Sequence, residues 1–175
     1  AASCQIHALL PQVKEASAPN HLRGLEGVGA NAYFGVFDEM ILGDKTVFSF
    51  KTRNRRPPLD EVNALLSFAY SLLAHNCASA LESVGLDSYV GFLHRDRPGR
   101  TSLALDLMEE FRPCMADRFI LTLINNRMLK ASDFDRSESG AVLLNDSGRK
   151  SFLESWQKKK QETITHPFLN EKLPW

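Results

Sequence analysis

Long apolar runs are missing from this sequence. Stretches such as Phe119 to Leu121 stop far short of the roughly 20 residues that a membrane-spanning helix needs, and the residues from Ala1 onward do not form a signal peptide. The expectation is a cytoplasmic chain with no membrane partner. Cysteine is scarce: Cys4, Cys77 and Cys114 are odd in number and widely separated, with no C-x-x-C spacing. That excludes a disulfide framework and a cysteine-based zinc site, and predicts reduced thiols that mostly fill core space. Neither sign of charge prevails, with 21 basic residues against 21 acidic ones, so any nucleic-acid footprint must be local. Also absent are a phosphate-binding P-loop, a dinucleotide glycine fingerprint and a G-x-S-x-G elbow. Glu162 and His166 stand four apart without the second histidine of a zinc protease. There is no internal repeat and no low-complexity tract.

What is present reads as one folded unit. The 175 residues are 43% apolar and 24% charged, proportions of an ordinary globular domain long enough to bury a core without disulfides or a structural metal. The first residue is not Met and a helical pattern is under way by Gln5, which reads as the later part of a longer chain. Leu22, Glu26, Gly29, Tyr33, Val36 and Met40 recur at intervals of four and three, the face of one helix. A second helix is predicted from Asp60 to Val84, following Pro57 and Pro58 and ended by Gly85. Tyr89 to Leu93 reads as a short extended segment, and His94 opens a basic loop with Pro98 and Gly99 as turn signals. A helix from Thr101 or Ser102 to Phe111 follows. Pro113 kinks it or starts the next, which runs to Asn125 and Asn126. A hairpin between Phe134 and Asn145 and a polar helix from Arg149 to about Ile164, ended by Pro167, complete the pattern. The fold class is all-α, a helical bundle over residues 1–175 with at most a minor β-hairpin.

Four acidic or imidazole positions stand out. Glu26 is a carboxylate in an otherwise apolar stripe, where desolvation without a partner costs several kcal/mol. Gly27, Gly29 and Ala30 beside it leave room for a backbone or a ligand, and a buried ion pair with Arg23 is the alternative. His94 sits where an apolar segment meets the basic loop. On the helix that follows, Ser102, Asp106 and Glu109 form a narrow polar strip among apolar residues. Carboxylates at an i, i+3 spacing repel each other unless a cation lies between them. A divalent metal resolves that conflict, as does an ion-pair network with Arg100, Arg112 and Arg118. Two carboxylates and one imidazole suit Mg²⁺ or Mn²⁺ better than zinc.

Basic residues gather at Lys51, Arg53, Arg55 and Arg56, and again at Arg95, Arg97 and Arg100. The second group precedes a helix N-terminus, whose free amides and dipole favour a phosphate. The first is either a phosphate-backbone contact or a solvated loop. Lys158 to Lys160 read as solvated surface.

Three segments taken together resemble the integrase subunit of CRISPR adaptation: Leu22-Arg-Gly-Leu-Glu-Gly to Ala32-Tyr33-Phe34, Gly91-Phe-Leu-His94, and Gly99-Arg100 through Phe111-Arg112-Pro113. Asn63 to Tyr70 and Gly85 to Tyr89 are similar as well, so the resemblance covers about His21 to Asn126. It implies a metal-dependent DNA endonuclease and integrase that joins spacer DNA to a CRISPR repeat. The Mg²⁺ or Mn²⁺ ligands it implies are Glu26, His94 and Glu109, with Asp106 as an auxiliary acidic residue. Arg95, Arg97, Arg100, Arg53, Arg55 and Arg56 are the expected phosphate contacts. The implied partners are spacer-precursor and repeat DNA, a small ferredoxin-like adaptation subunit, and a second copy in the intact protein. The chain departs from the family in two ways: nothing in it resembles the family's amino-terminal β-rich domain, and the family's N-Y-G-Y stretch reads Ser67-Phe68-Ala69-Tyr70, expected to lie outside the site.

Overall fold

Proline and glycine punctuate the helices of the computed structural model, which describes residues 2–95, 97–165 and 170–174. Two short helices, α1 (Ala2–His7) and α2 (Leu10–Glu15), lie on α3 (Pro19–Phe34) and bury no residue of their own. Pro19 opens α3, where its missing N–H costs nothing. The predicted face from Leu22 to Met40 is divided: α3 stops at Gly35 and a 3₁₀ turn, Phe37–Met40, carries the chain into the core through Phe37. Leu25, off the predicted stripe, is the buried residue of α3, and Glu26 beside it is exposed.

Helix α4 (Glu61–Ser83) is the centre of the fold. Asp60 caps it by accepting from the Asn63 N–H at 2.7 Å. At its other end Gly85, at φ 80°, lets the Gly85 and Leu86 amides turn back to the Glu82 and Leu81 carbonyls. Among the described residues it is the one helix long and apolar enough to cross a membrane, by length and composition alone. Its stripe of Val62, Leu65, Leu66 and Ala69 is instead wholly buried against the other helices.

Helix α5 (Ser102–Phe111) runs into a π-helical segment, Arg112–Asp117, and then α6 (Arg118–Asn125). Pro113 can donate no helical hydrogen bond, and the wider π turn accommodates it without ending the rod. Strands β1 (Phe134–Arg136) and β2 (Val142–Leu144) form the expected hairpin. Helix α7 (Asp146–Lys160), capped by Asn145 on the Gly148 amide at 3.0 Å, inserts Phe152 and Trp156 against Phe119, with ring centroids 5.3 Å from each. It ends before Ile164. The β-branched run Thr163–Thr165 is β3, paired with β4 (Lys172–Pro174), a second strand pair beyond the expected hairpin. Ala1, His166, Pro167 and Trp175 lie outside the described residues.

One further expectation is corrected: Tyr89 to Leu93 forms no strand, the Phe92 and Leu93 amides donating to a side-chain carboxylate instead. The three cysteines are free thiols; Cys77 is buried in the core and Cys114 packs half-buried against it, as expected of most of them, while Cys4 is exposed on α1.

Candidate active site

Asp106 on α5 organises the site. Its Oδ2 accepts from the Phe92 and Leu93 amides at 2.6 and 3.0 Å, and its Oδ1 from the His94 amide at 2.9 Å. Oδ1 also lies 2.6 Å from His94 Nδ1. Burial works against ionisation of this carboxyl, but the His94 bond and the three amides outweigh it and hold Asp106 below the usual aspartate range. The i, i+3 pair therefore divides its work, with Asp106 turned back to the loop and Glu109 one turn further on. The loop approaches α5 so closely that a Cβ on Gly91 would stand 2.6 Å from Ser102 Cβ. With Nδ1 carrying the proton towards Asp106, the lone pair of His94 resides on Nε2, the arrangement of a metal-ligating histidine.

His94, Arg97 and Arg100 form a wall common to two cavities. One, of about 270 Å³, is completed by Glu26, Arg23, Arg95 and Leu93. The other, of about 800 Å³, is bounded also by Glu109, Arg112, Tyr70 and the Arg53, Arg55, Arg56 cluster. The cluster before α4 and the cluster before α5, 40 residues apart in the chain, thus face one space. Of the ten candidate ligands and phosphate contacts, all but Asp106 line these cavities, and Asp106 stands behind His94, while Lys51 and Ser102 lie off both linings.

Several details differ from expectation. Glu26 is exposed to the smaller cavity and carries no ion pair with Arg23. Arg23 instead donates to the Leu93 carbonyl at 2.7 Å and to Asn20 at 2.5 Å, tying α3 to the His94 loop. The first amides of α5 are not free for an anion: those of Leu103 and Ala104 donate to the Ser88 carbonyl and that of Ser102 to Arg100. Phosphate binding there falls to side chains. Arg53 is turned inward, donating to the Asn54 carbonyl, to Asn63 at 2.7 Å and to Ser67 at 3.1 Å. Burial brings its guanidinium down to about 10, and its Nε is buried with no partner among the described residues.

Glu109 is bonded to Arg112, whose guanidinium lies 4.5 Å from the centre of the Tyr70 ring. The Tyr70 hydroxyl donates to Asp117 at 2.5 Å, and Asp117 is only 3% exposed. Burial, offset in part by the hydroxyls of Tyr70 and Tyr33, pushes Asp117 above the usual carboxylate range. Burial pushes both tyrosines up as well. Ser67 and Tyr70, expected outside the site, are therefore on its wall. Their spacing of three on the buried face of α4 was a signal, but one indistinguishable in sequence from core packing.

The donor set of one imidazole and two carboxylates, without cysteine, suits a hard divalent cation. Among the described residues no three His, Cys, Asp or Glu side chains stand close enough together to hold one.

A family model described as CRISPR associated protein Cas1 matches residues 1–158. CRISPR-associated endonuclease Cas1 2 of Rhodospirillum rubrum is 57% identical over 168 residues, covering 96% of this chain and 49% of its own length. The chain thus spans about half the length of that relative. A casposase bound to integration product superposes with a TM-score of 0.85 at 30% identity, over 95% of this chain and 46% of the casposase chain. The partial Cas6-RT-Cas1–Cas2 complex matches with a TM-score of 0.80 at 28% identity, over 89% of this chain and 47% of the other. By the family match, the sequence identity and the common helical fold, this chain belongs to the Cas1 family.

Proposed function

We propose that the chain is the helical catalytic part of a metal-dependent DNA endonuclease and integrase, which joins spacer DNA to a CRISPR repeat by exchanging one phosphodiester for another. The observation that carries this reading is His94, locked by Asp106 into a wall shared with Glu26 on one side and Glu109 on the other, with arginines around both. Glu26, His94 and Glu109 would hold Mn²⁺ or Mg²⁺, which when bound supplies positive charge against the charge developing on the phosphate.

The chain's own residues do the rest. Asp106 fixes the imidazole and its tautomer. Arg95, Arg97, Arg100, Arg55 and Arg56 receive phosphate oxygens, with Arg53 bracing the wall from behind. A 3′-hydroxyl is the attacking group, and positioning with electrostatics provides most of the catalysis. Repeat and spacer-precursor DNA, a second copy of the intact protein and a small ferredoxin-like adaptation subunit are the partners, in the cytoplasm. Support for DNA and for the subunit comes from the neighbours, a casposase bound to integration product and a complex containing Cas2.

The Glu109–Arg112 pair favours a second reading, a DNA-binding domain whose acidic residues form a structural network. A strand-transfer assay separates them. Labelled DNA with a free 3′-hydroxyl is mixed with a plasmid carrying a repeat, this protein and manganese. A joined product that chelator removes, and that Glu26→Gln and His94→Ala each reduce by about 10²-fold or more, supports the integrase. Cleavage without joining marks a hydrolytic nuclease, and metal-independent binding without cleavage marks the scaffold.

A further inference from the structure

Of the three candidate ligands, Glu109 is the one whose carboxylate is bonded to a cation among the described residues, and Arg112 is its one side-chain partner there. The pair is not sealed. Both side chains line the larger cavity, and Glu109 keeps 29% of its side-chain surface exposed against 14% for Arg112. Arg112 also has a second seat. Its guanidinium lies 4.5 Å from the centre of the Tyr70 ring, within cation–π reach, and that of Arg53 lies 5.4 Å from the same centre. The ring cannot swing away, because its hydroxyl donates to buried Asp117 at 2.5 Å. Arg112 is thus held by a fixed support that does not depend on Glu109.

We propose that Arg112 guards the third ligand: it occupies the Glu109 carboxylate until a divalent cation takes it, and the Tyr70 ring then keeps the released guanidinium on the cavity wall. The inference rests on the metal reading above and adds a threshold to it. Breaking a buried ion pair is costly when one charge is left alone, but this exchange strands neither group. The carboxylate trades one cation for another. The guanidinium retains an aromatic face and an open cavity. Arg112 and the metal compete for one carboxylate, so the guard lowers the affinity for the metal, and by linkage the metal lowers the hold of Arg112 on Glu109 by the same factor. Arg112 is in this sense a positioning residue, which acts on the site through Glu109.

The test is the affinity of this chain for manganese alone, read from the electron paramagnetic resonance signal of the free aquo ion, with urea unfolding to show that each variant is folded. Arg112→Gln removes the charge of the guard and keeps a polar side chain. The expected result is manganese bound ~5- to ~150-fold more tightly than by the unsubstituted chain. Arg112→Lys, which keeps the charge but loses the planar fork and its stacking on Tyr70, gives a smaller gain. In a Glu109→Gln background Arg112→Gln gives none, because the guard acts through that carboxylate. A purely structural role moves the unfolding midpoint and does not tighten the metal. Unchanged or weaker binding in Arg112→Gln would overturn the guard while leaving the metal site standing. So would an equal gain in the Glu109→Gln background, which assigns the effect to the loss of a positive charge from the cavity. If Arg112→Gln does not fold, Arg112→Lys decides: tighter binding supports the guard and unchanged binding removes it. A chain that binds no manganese, or binds it equally well after Glu26→Gln and His94→Ala, removes the metal reading and the guard with it.

Discussion

Asp106 and Asp117 are carboxyls on one continuous helical rod with opposite electrostatics, and the difference lies in their donors. Asp106 meets three amides and an imidazole and stays ionised below the usual range; Asp117, buried beneath Tyr70 and Tyr33, is driven upward. A carboxyl whose folded pKa lies above its unfolded value binds its proton more tightly in the folded chain. Stability from Asp117 is thus fully present below the ordinary value of 3.8 and is lost as pH rises through the elevated folded value. Asp117→Asn keeps an acceptor for Tyr70 and removes the titration. Urea unfolding at a series of pH values above 4 should show a smaller decline with rising pH in the variant, and parallel profiles would contradict this assignment. Sequence spacing put Asp106 and Glu109 on one polar strip, but only the folded loop shows that they face different partners. Asp117 gave no sequence signal beyond an acidic residue next to Arg118.

At the scale of elements, the rod from α5 through the π segment to α6 carries Asp106, Glu109, Arg112 and Asp117, and so joins the His94 loop to the buried tyrosines. Arg112 is its middle contact, paired with Glu109 and resting on Tyr70. Arg112→Ala leaves Glu109 without its cation and removes packing from the ring. The expected loss is about 1–3 kcal/mol in denaturant unfolding, below the ~3–5 kcal/mol of a fully buried broken pair because Glu109 keeps contact with water. An unchanged midpoint would show that the pair is surface decoration.

The helices themselves were legible where local chemistry agrees with burial. Asp60 and Gly85 bracket α4 in sequence as in space, and Ser102 to Phe111 form α5. The stop at Gly35 was not legible, because the apolar spacing of Leu22 to Met40 continues past it into a 3₁₀ turn. Nor was the irregular Tyr89 to Leu93 segment, whose Leu93 and Phe92 amides are satisfied by a carboxylate 13 and 14 residues away rather than by a neighbouring strand.

Across the whole molecule, two arginine clusters, two cavities and two candidate carboxylate ligands surround one histidine. Glu26 and His94, 68 residues apart, were named together by resemblance, since no local periodicity links α3 to a loop that α5 clamps. The inward turn of Arg53 and the occupied amides of α5 were beyond sequence reading, because both depend on contacts made only after α4 and α5 pack. The central claim is that this arrangement closes on a divalent cation, with Glu109 exchanging Arg112 for it. Anomalous scattering from crystals of the protein soaked in manganese tests it most directly. The account predicts one peak about 2.0–2.3 Å from donor atoms of Glu26, His94 and Glu109. Crystals with no peak there, Glu109 still bonded to Arg112 at saturating manganese, would contradict it.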